Sequence, residues 1–106
     1  MGVLYGNTGS IDKAIENFNK SLAVNPNDYH AYNSLGLLYF SVGQYDKALD
    51  DFNRTLELKP YFGEAYLNRG NLLFIIGKKE HALADLRRAC DLGNAIACKS
   101  LHMAPE

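Results

Sequence analysis

Copies of one stretch account for most of this chain. Between Tyr29 and Phe62 stand Tyr32-x-x-Leu35-Gly36-x-x-Tyr39, then Ala48-x-x-x-Phe52, then Pro60, and a shift of 34 residues brings much of this back. Downstream, Ala31, Tyr32, Gly36, Leu38, Phe40, Gly43, Ala48, Leu49, Asp51, Arg54 and Leu58 meet identical residues from Ala65 to Leu92. Upstream, Gly2, Leu4, Tyr5, Gly9, Asp12, Lys13, Ala14, Phe18, Leu22 and Pro26 match residues from Gly36 to Pro60. A fixed period in this range marks a stacked repeat, in which each unit covers its neighbour's apolar face, and argues against a single irregular globule.

Within each copy the apolar residues recur at helical spacing, as Ile11, Ala14, Ile15, Phe18 and Leu22 do, with Asp12, Lys13, Glu16 and Lys20 elsewhere on the wheel. The period predicts helices over about Ile11–Val24, Tyr29–Val42, Tyr45–Leu58, Gly63–Ile76, Lys78–Leu92 and Ala95–Met103, and no strand. Gly43 and Gly77 read as turns, because glycine adopts a left-handed backbone without a Cβ clash. Gly9 reads the same way, with Ser10 as an N-cap and residues 1–8 as the tail of an earlier helix. Asn25-Pro26-Asn27-Asp28, Pro60 and Gly93-Asn94 close the units. Gaps this short force antiparallel neighbours. The domain division expected is a truncated repeat at 1–28, full repeats at 29–62 and 63–93, and a capping helix with its tail at 94–106.

The motif Tyr32, Leu35, Gly36, Tyr39, Ala48, Phe52 and Pro60 resembles the tetratricopeptide repeat (TPR). The resemblance implies an all-α right-handed superhelix of antiparallel helix pairs, about 2.5–3 repeats plus a C-terminal capping helix. Gly36 with Ala48, and Gly70 with Ala82, are then the points of closest helix approach, with Tyr32, Leu35, Tyr39 and Phe52 filling the space around them. The third unit departs from the pattern: Arg69 replaces the leucine, Leu73 the tyrosine and Leu86 the phenylalanine. Arg69 is expected to keep its stem in the interface and its head at the edge.

The resemblance also implies use as a non-catalytic, peptide-binding scaffold whose concave face is lined by the first helix of each pair. On that face the expected groove residues are Asn33, Leu37, Phe40, Leu67, Asn68, Asn71 and Phe74. Asparagine amides can pair with both N–H and C=O of an extended peptide, and Phe40 and Phe74 can hold apolar side chains or simply complete the helix packing. The expected partner is a short, partly hydrophobic segment of another protein. Family members that grip chaperone C-terminal carboxylates use a Lys/Asn/Arg set; the matching places here hold Val3, Ser34, Glu64 and Asn68, without a cation. Two other functions fit: a regulatory or adaptor domain of a larger enzyme, and a self-associating structural module.

Charge balance, with 11 Lys plus Arg against 12 Asp plus Glu, argues against bulk attraction to nucleic acid or an anionic membrane. No apolar run approaches the ~20 residues that span a bilayer, and the N-terminus lacks the basic start of a signal peptide. A cytoplasmic setting is the expectation. No Gly-x-Ser-x-Gly context and no phosphate loop occur, and His30, His81 and His102 are scattered, so no catalytic residue and no cofactor is expected. Cys90, Cys98 and His102 suggest a metal corner but lack zinc-type spacing. Small buried cysteines between helices are the expected reading, with a disulfide as the alternative. Leu4, Ile11 and Ile15 lie at an end without a cover, where copies of the chain are expected to pair or the end to fray.

Overall fold

The computed structural model describes residues 2–103, with side chains from 9 to 102. Among them are six helices and no strand: α1 (Gly2–Val24), α2 (Tyr29–Ser41), α3 (Tyr45–Leu58), α4 (Gly63–Ile75), α5 (Lys79–Asp91) and α6 (Ala95–Met103). Each helix packs on the next, and α2 also touches α4, whereas α3 and α5 make no comparable contact. The stack therefore bends toward its α2–α4 side. This is an all-α solenoid.

Local chemistry sets the helix limits. Asp28 caps α2, its Oδ1 accepting from the Ala31 N–H at 3.2 Å, and Asn94 caps α6 through Ala97 at 2.9 Å; each satisfies an otherwise orphan donor of the first turn. Gly43 and Gly77 take φ of 80° and 87° and turn the chain between paired helices. Gly9, their counterpart one period earlier, does neither, for no positive φ occurs there and α1 runs straight through Gly9 and Ser10. The turn expected at Gly9 is thus absent. Glycine permits a turn but does not impose one, and residues 2–8 continue the helix instead of folding back on it.

Close approach at small residues builds each pair. A Cβ on Gly36 would lie 2.6 Å from the Phe52 ring, so the ring rests directly on the α2 backbone. Ala48 and Phe52 are wholly buried there. In the third unit Gly70 meets Leu86 instead, with Ala82 wholly buried and Leu86 1% exposed. Leucine fills less space than phenylalanine, and in this unit Arg69 stands where the second unit has Leu35. Its Nε and Nη2 donate to Asp85 at 2.7 and 2.8 Å, and its Nη1 donates to Asn53 of α3 at 2.9 Å. Arg69 thus bridges two repeats, where the sequence suggested only a head at the edge.

Asp51, one period before Asp85, has Leu35 where Asp85 has Arg69. Its Oδ2 is buried without a hydrogen-bond partner among the described residues. Burial, with a smaller contribution from Asp50, raises its pKa from 3.8 to about 7. Because the folded value lies above the unfolded one, the native state holds the extra proton between these limits. Stability then falls as pH rises from about 4 to 7 and levels off above. Asp51→Asn should remove this slope and add about 2 kcal/mol at pH 8, roughly half the full linkage value because the side chain is only partly buried. Urea melts between pH 5 and 8 measure this, and parallel slopes for the two proteins would refute it.

At the C-terminal end, α6 occupies the place of a further first helix, offset by 32 residues from α4 because the Gly93-Asn94 connection is shorter. Cys98 then stands where Tyr32 and Tyr66 stand, and Cys90 where Leu22 and Leu56 stand. Cys90 and Cys98 form a disulfide joining α5 to α6, with Cα atoms 4.7 Å apart. This corrects the expectation of free buried thiols. Ala97 is wholly buried and clusters with Leu67, Leu86 and Ala89, against which Cys90 packs.

Candidate protein-binding face

The inner face is formed by α2, α4 and α6, since α2 touches α4 and Leu67 of α4 clusters with Ala97 of α6. The expected groove residues distribute unequally over it. Leu37 is 39% exposed and Asn71 is also exposed. Phe40 is half-buried and meets Tyr45 edge-on at 5.7 Å, and Phe74 is half-buried against the Leu67 cluster. Leu67 is buried in that cluster, and Asn33 and Asn68 are buried between α2 and α4.

The two buried asparagines pair with each other. Asn68 Nδ2 donates to Asn33 Oδ1 at 3.1 Å, tying α2 to α4. No other hydrogen bond involves the remaining Asn33 amide or Asn68 carbonyl, yet neither atom is fully enclosed, since the only buried unpartnered side-chain atom among the described residues is on Asp51. One donor group and one acceptor therefore remain unused among the described residues, one helical turn from Leu37 and Asn71. An extended peptide backbone offers the complementary pair.

Charge on this face is sparse. Arg69 is consumed by Asp85 and Asn53, leaving exposed Lys99 as the free cation of α2, α4 and α6 among the described residues. Lys99 stands at the position of Asn33 and Leu67. The 32-residue offset of α6 hides this equivalence in the sequence. Two concavities lie away from this face: a cleft of about 410 Å³ beside the Gly43–Lys47 turn and Ile76, and one of about 230 Å³ around Arg69, Asp85 and His81. The joined Cys90 and Cys98 sulfurs offer no thiolate, and no group of three or more metal-ligating side chains occurs among the described residues. No helix of the described residues is long and apolar enough to cross a membrane.

A helical solenoid with an amide-bearing inner strip defines a protein-interaction scaffold. The tetratricopeptide repeat description matches residues 29–62 and 63–94, and a TPR repeat model matches 2–43. The chain belongs to the tetratricopeptide repeat family. Among solved structures it is similar to the first TPR of Spaghetti (RPAP3) bound to the HSP90 peptide SRMEEVD, at 27% identity and TM-score 0.83, covering 96% of this chain and 82% of that one. It is also similar to two structures of MamA, each 28% identical with TM-scores of 0.81 and 0.79; it covers 61% and 57% of those chains, and 97% of this chain is covered in both. No curated protein sequence matches.

Proposed function

We propose that the α2–α4–α6 strip binds a short, partly hydrophobic peptide segment of another protein, without catalysis. The observation that carries this reading is the Asn33–Asn68 pair, which leaves a spare donor and a spare acceptor one helical turn from exposed Leu37 and Asn71. The Spaghetti (RPAP3) repeat domain, similar over nearly the whole chain, holds a peptide and supports the same use here. The peptide classes differ. SRMEEVD is acidic and ends in a carboxylate, whereas this strip has one free cation, Lys99, at one end. A segment with apolar side chains spaced to reach Leu37 and Phe40, and at most one acidic group toward Lys99, fits better.

A heptapeptide selected from a displayed library against the chain provides the probe. Asn71→Ala and Phe40→Ala should each weaken its binding about tenfold by fluorescence anisotropy, the cost of a lost hydrogen bond or apolar contact, with unchanged far-UV circular dichroism. SRMEEVD should bind at least tenfold more weakly than the selected peptide. Unchanged affinity in both variants would remove the groove assignment. A regulatory or adaptor role within a larger enzyme would use the same strip. Association of copies through the N-terminal end belongs to the same reading, because no described helix covers the outer side of α1.

A further inference from the structure

The cleft of about 410 Å³ lies between two repeats, walled by the Gly43–Lys47 turn on one side and by Ile76 on the other. There the first turn of α3 faces the residue that caps the C-terminal end of α4. The cleft lies off the inner face, yet one contact joins the two. Phe40 of the strip meets the Tyr45 ring edge-on at 5.7 Å, and Tyr45 lines the cleft.

The walls combine apolar surface with one free charge. Ile76 is 37% exposed although apolar, and Tyr45 adds a half-buried ring. Such surface suits the alkyl stem of a long side chain. Lys47 holds its Nζ 5.5 Å from the centre of the Tyr39 ring, and Tyr39 is not part of the wall. Asp46 is exposed and makes no ion pair among the described residues. The N-terminal end of α3 brings partial positive charge to the cleft and the C-terminal end of α4 partial negative charge. These two ends oppose each other, so the Asp46 carboxylate sets the sign.

We infer that this cleft receives a lysine or arginine side chain of the peptide bound on the strip, with its stem on Ile76 and Tyr45 and its cationic head at Asp46. The inference rests on the strip reading and adds a register to it. Alternate side chains of an extended chain share a face at a spacing of about 6.5 Å, close to the 5.7 Å between the Phe40 and Tyr45 rings. The basic residue thus stands two positions from the apolar residue seated on Phe40. One period on, Lys78 and Lys79 replace Gln44 and Tyr45, so the corresponding turn of the third repeat disfavours the same side chain.

Heptapeptides selected from the displayed library should carry lysine or arginine two positions from the apolar residue that Phe40→Ala affects. Replacing that basic residue with norleucine should weaken binding about threefold, and Asp46→Asn should do the same. The two changes together should weaken it no further. Asp46→Lys should cost the basic peptide at least tenfold, and glutamate in place of the basic residue should recover the loss. Asp46 is exposed, and far-UV circular dichroism should show these variants folded. A second probe needs no peptide: n-pentylammonium at millimolar concentration should shift the Ile76 methyl resonances, pentanoate should not, and Asp46→Asn should erase the difference. Independent effects of norleucine and Asp46→Asn, or equal shifts by pentylammonium and pentanoate, would each overturn the cleft assignment, and the strip stands as long as Phe40→Ala weakens binding. Binding indifferent to Phe40→Ala would remove the strip instead, and the pentylammonium titration would still decide the cleft.

Discussion

Replacing Phe52 with alanine should cost about 3–5 kcal/mol of folding stability, the largest single effect expected from an apolar substitution in this chain. Phe52 is wholly buried, and its ring lies against the backbone of Gly36, where no side chain can move in to fill the space. The cavity would open inside a helix pair flanked on both sides, by α1 and by α4. Domains of this size are stable by only about 5–15 kcal/mol, so a substantial fraction of the molecules would unfold on modest heating. A midpoint drop of roughly 15–30 °C follows from the usual entropy of unfolding for a chain of this length. Urea melts followed by circular dichroism provide the measurement. A loss below about 1.5 kcal/mol would show that the α2–α3 junction does not depend on that ring.

The second large effect is electrostatic. Arg69→Leu should cost about 3 kcal/mol at pH 7, the lower part of the range for breaking a buried pair, because the Arg69 side chain is itself 24% exposed. Most of that loss comes from the carboxylate left behind. Asp85 is 7% exposed, and without the guanidinium it would sit uncompensated between α4 and α5. One consequence separates this from a simple loss of packing. Arg69→Leu with Asp85→Leu together should recover most of the stability. No recovery in the double variant would show that Arg69 acts through its aliphatic stem. Repeat 2 already holds half of this experiment in Leu35 and Asp51.

That comparison shows how far residue patterns can be read. Tyr32, Gly36, Ala48 and Phe52 recur with a fixed period because each is a required part of a packing unit, and fold class and most helix limits follow from them. Gly9 resisted the same reading. A glycine is compatible with a turn and with a helix, and which one forms depends on whether a partner helix lies across it. Asp51 and Asp85 are identical by pattern, yet their chemistry diverges because of one residue on the facing helix. Arg69 was visible as an exception, but its carboxylate partner sits sixteen residues on and was legible only through the repeat alignment.

The candidate strip was legible in kind but not in depth. Asn33 and Asn68 were recognisable as amides on the inner helices, and Leu37 and Asn71 as their neighbours. That the two asparagines bond to each other follows from the spacing between α2 and α4, which no local pattern encodes. Lys99 and the disulfide were obscured by the same cause, the loss of two residues at the Gly93-Asn94 connection, which shifts α6 out of the 34-residue frame. Cys90 and Cys98 then look like unrelated small residues, although they occupy the places of a leucine and a tyrosine that share one apolar cluster at the first junction.

The disulfide gives this solenoid a direction. In a linear stack held only by neighbour contacts, opening can begin at either end and run inward. Here α6 remains attached to α5 whatever the state of the apolar contacts beneath it, and closing so short a loop removes about 2–3 kcal/mol of freedom from the opened form. Peeling from that end must therefore unravel two helices as a single step. At the other end α1 can release from α2 alone. Unfolding thus resembles a zipper with one stop crimped shut, travelling from α1 toward α6, and refolding has a ready-made seed in the α5–α6 pair.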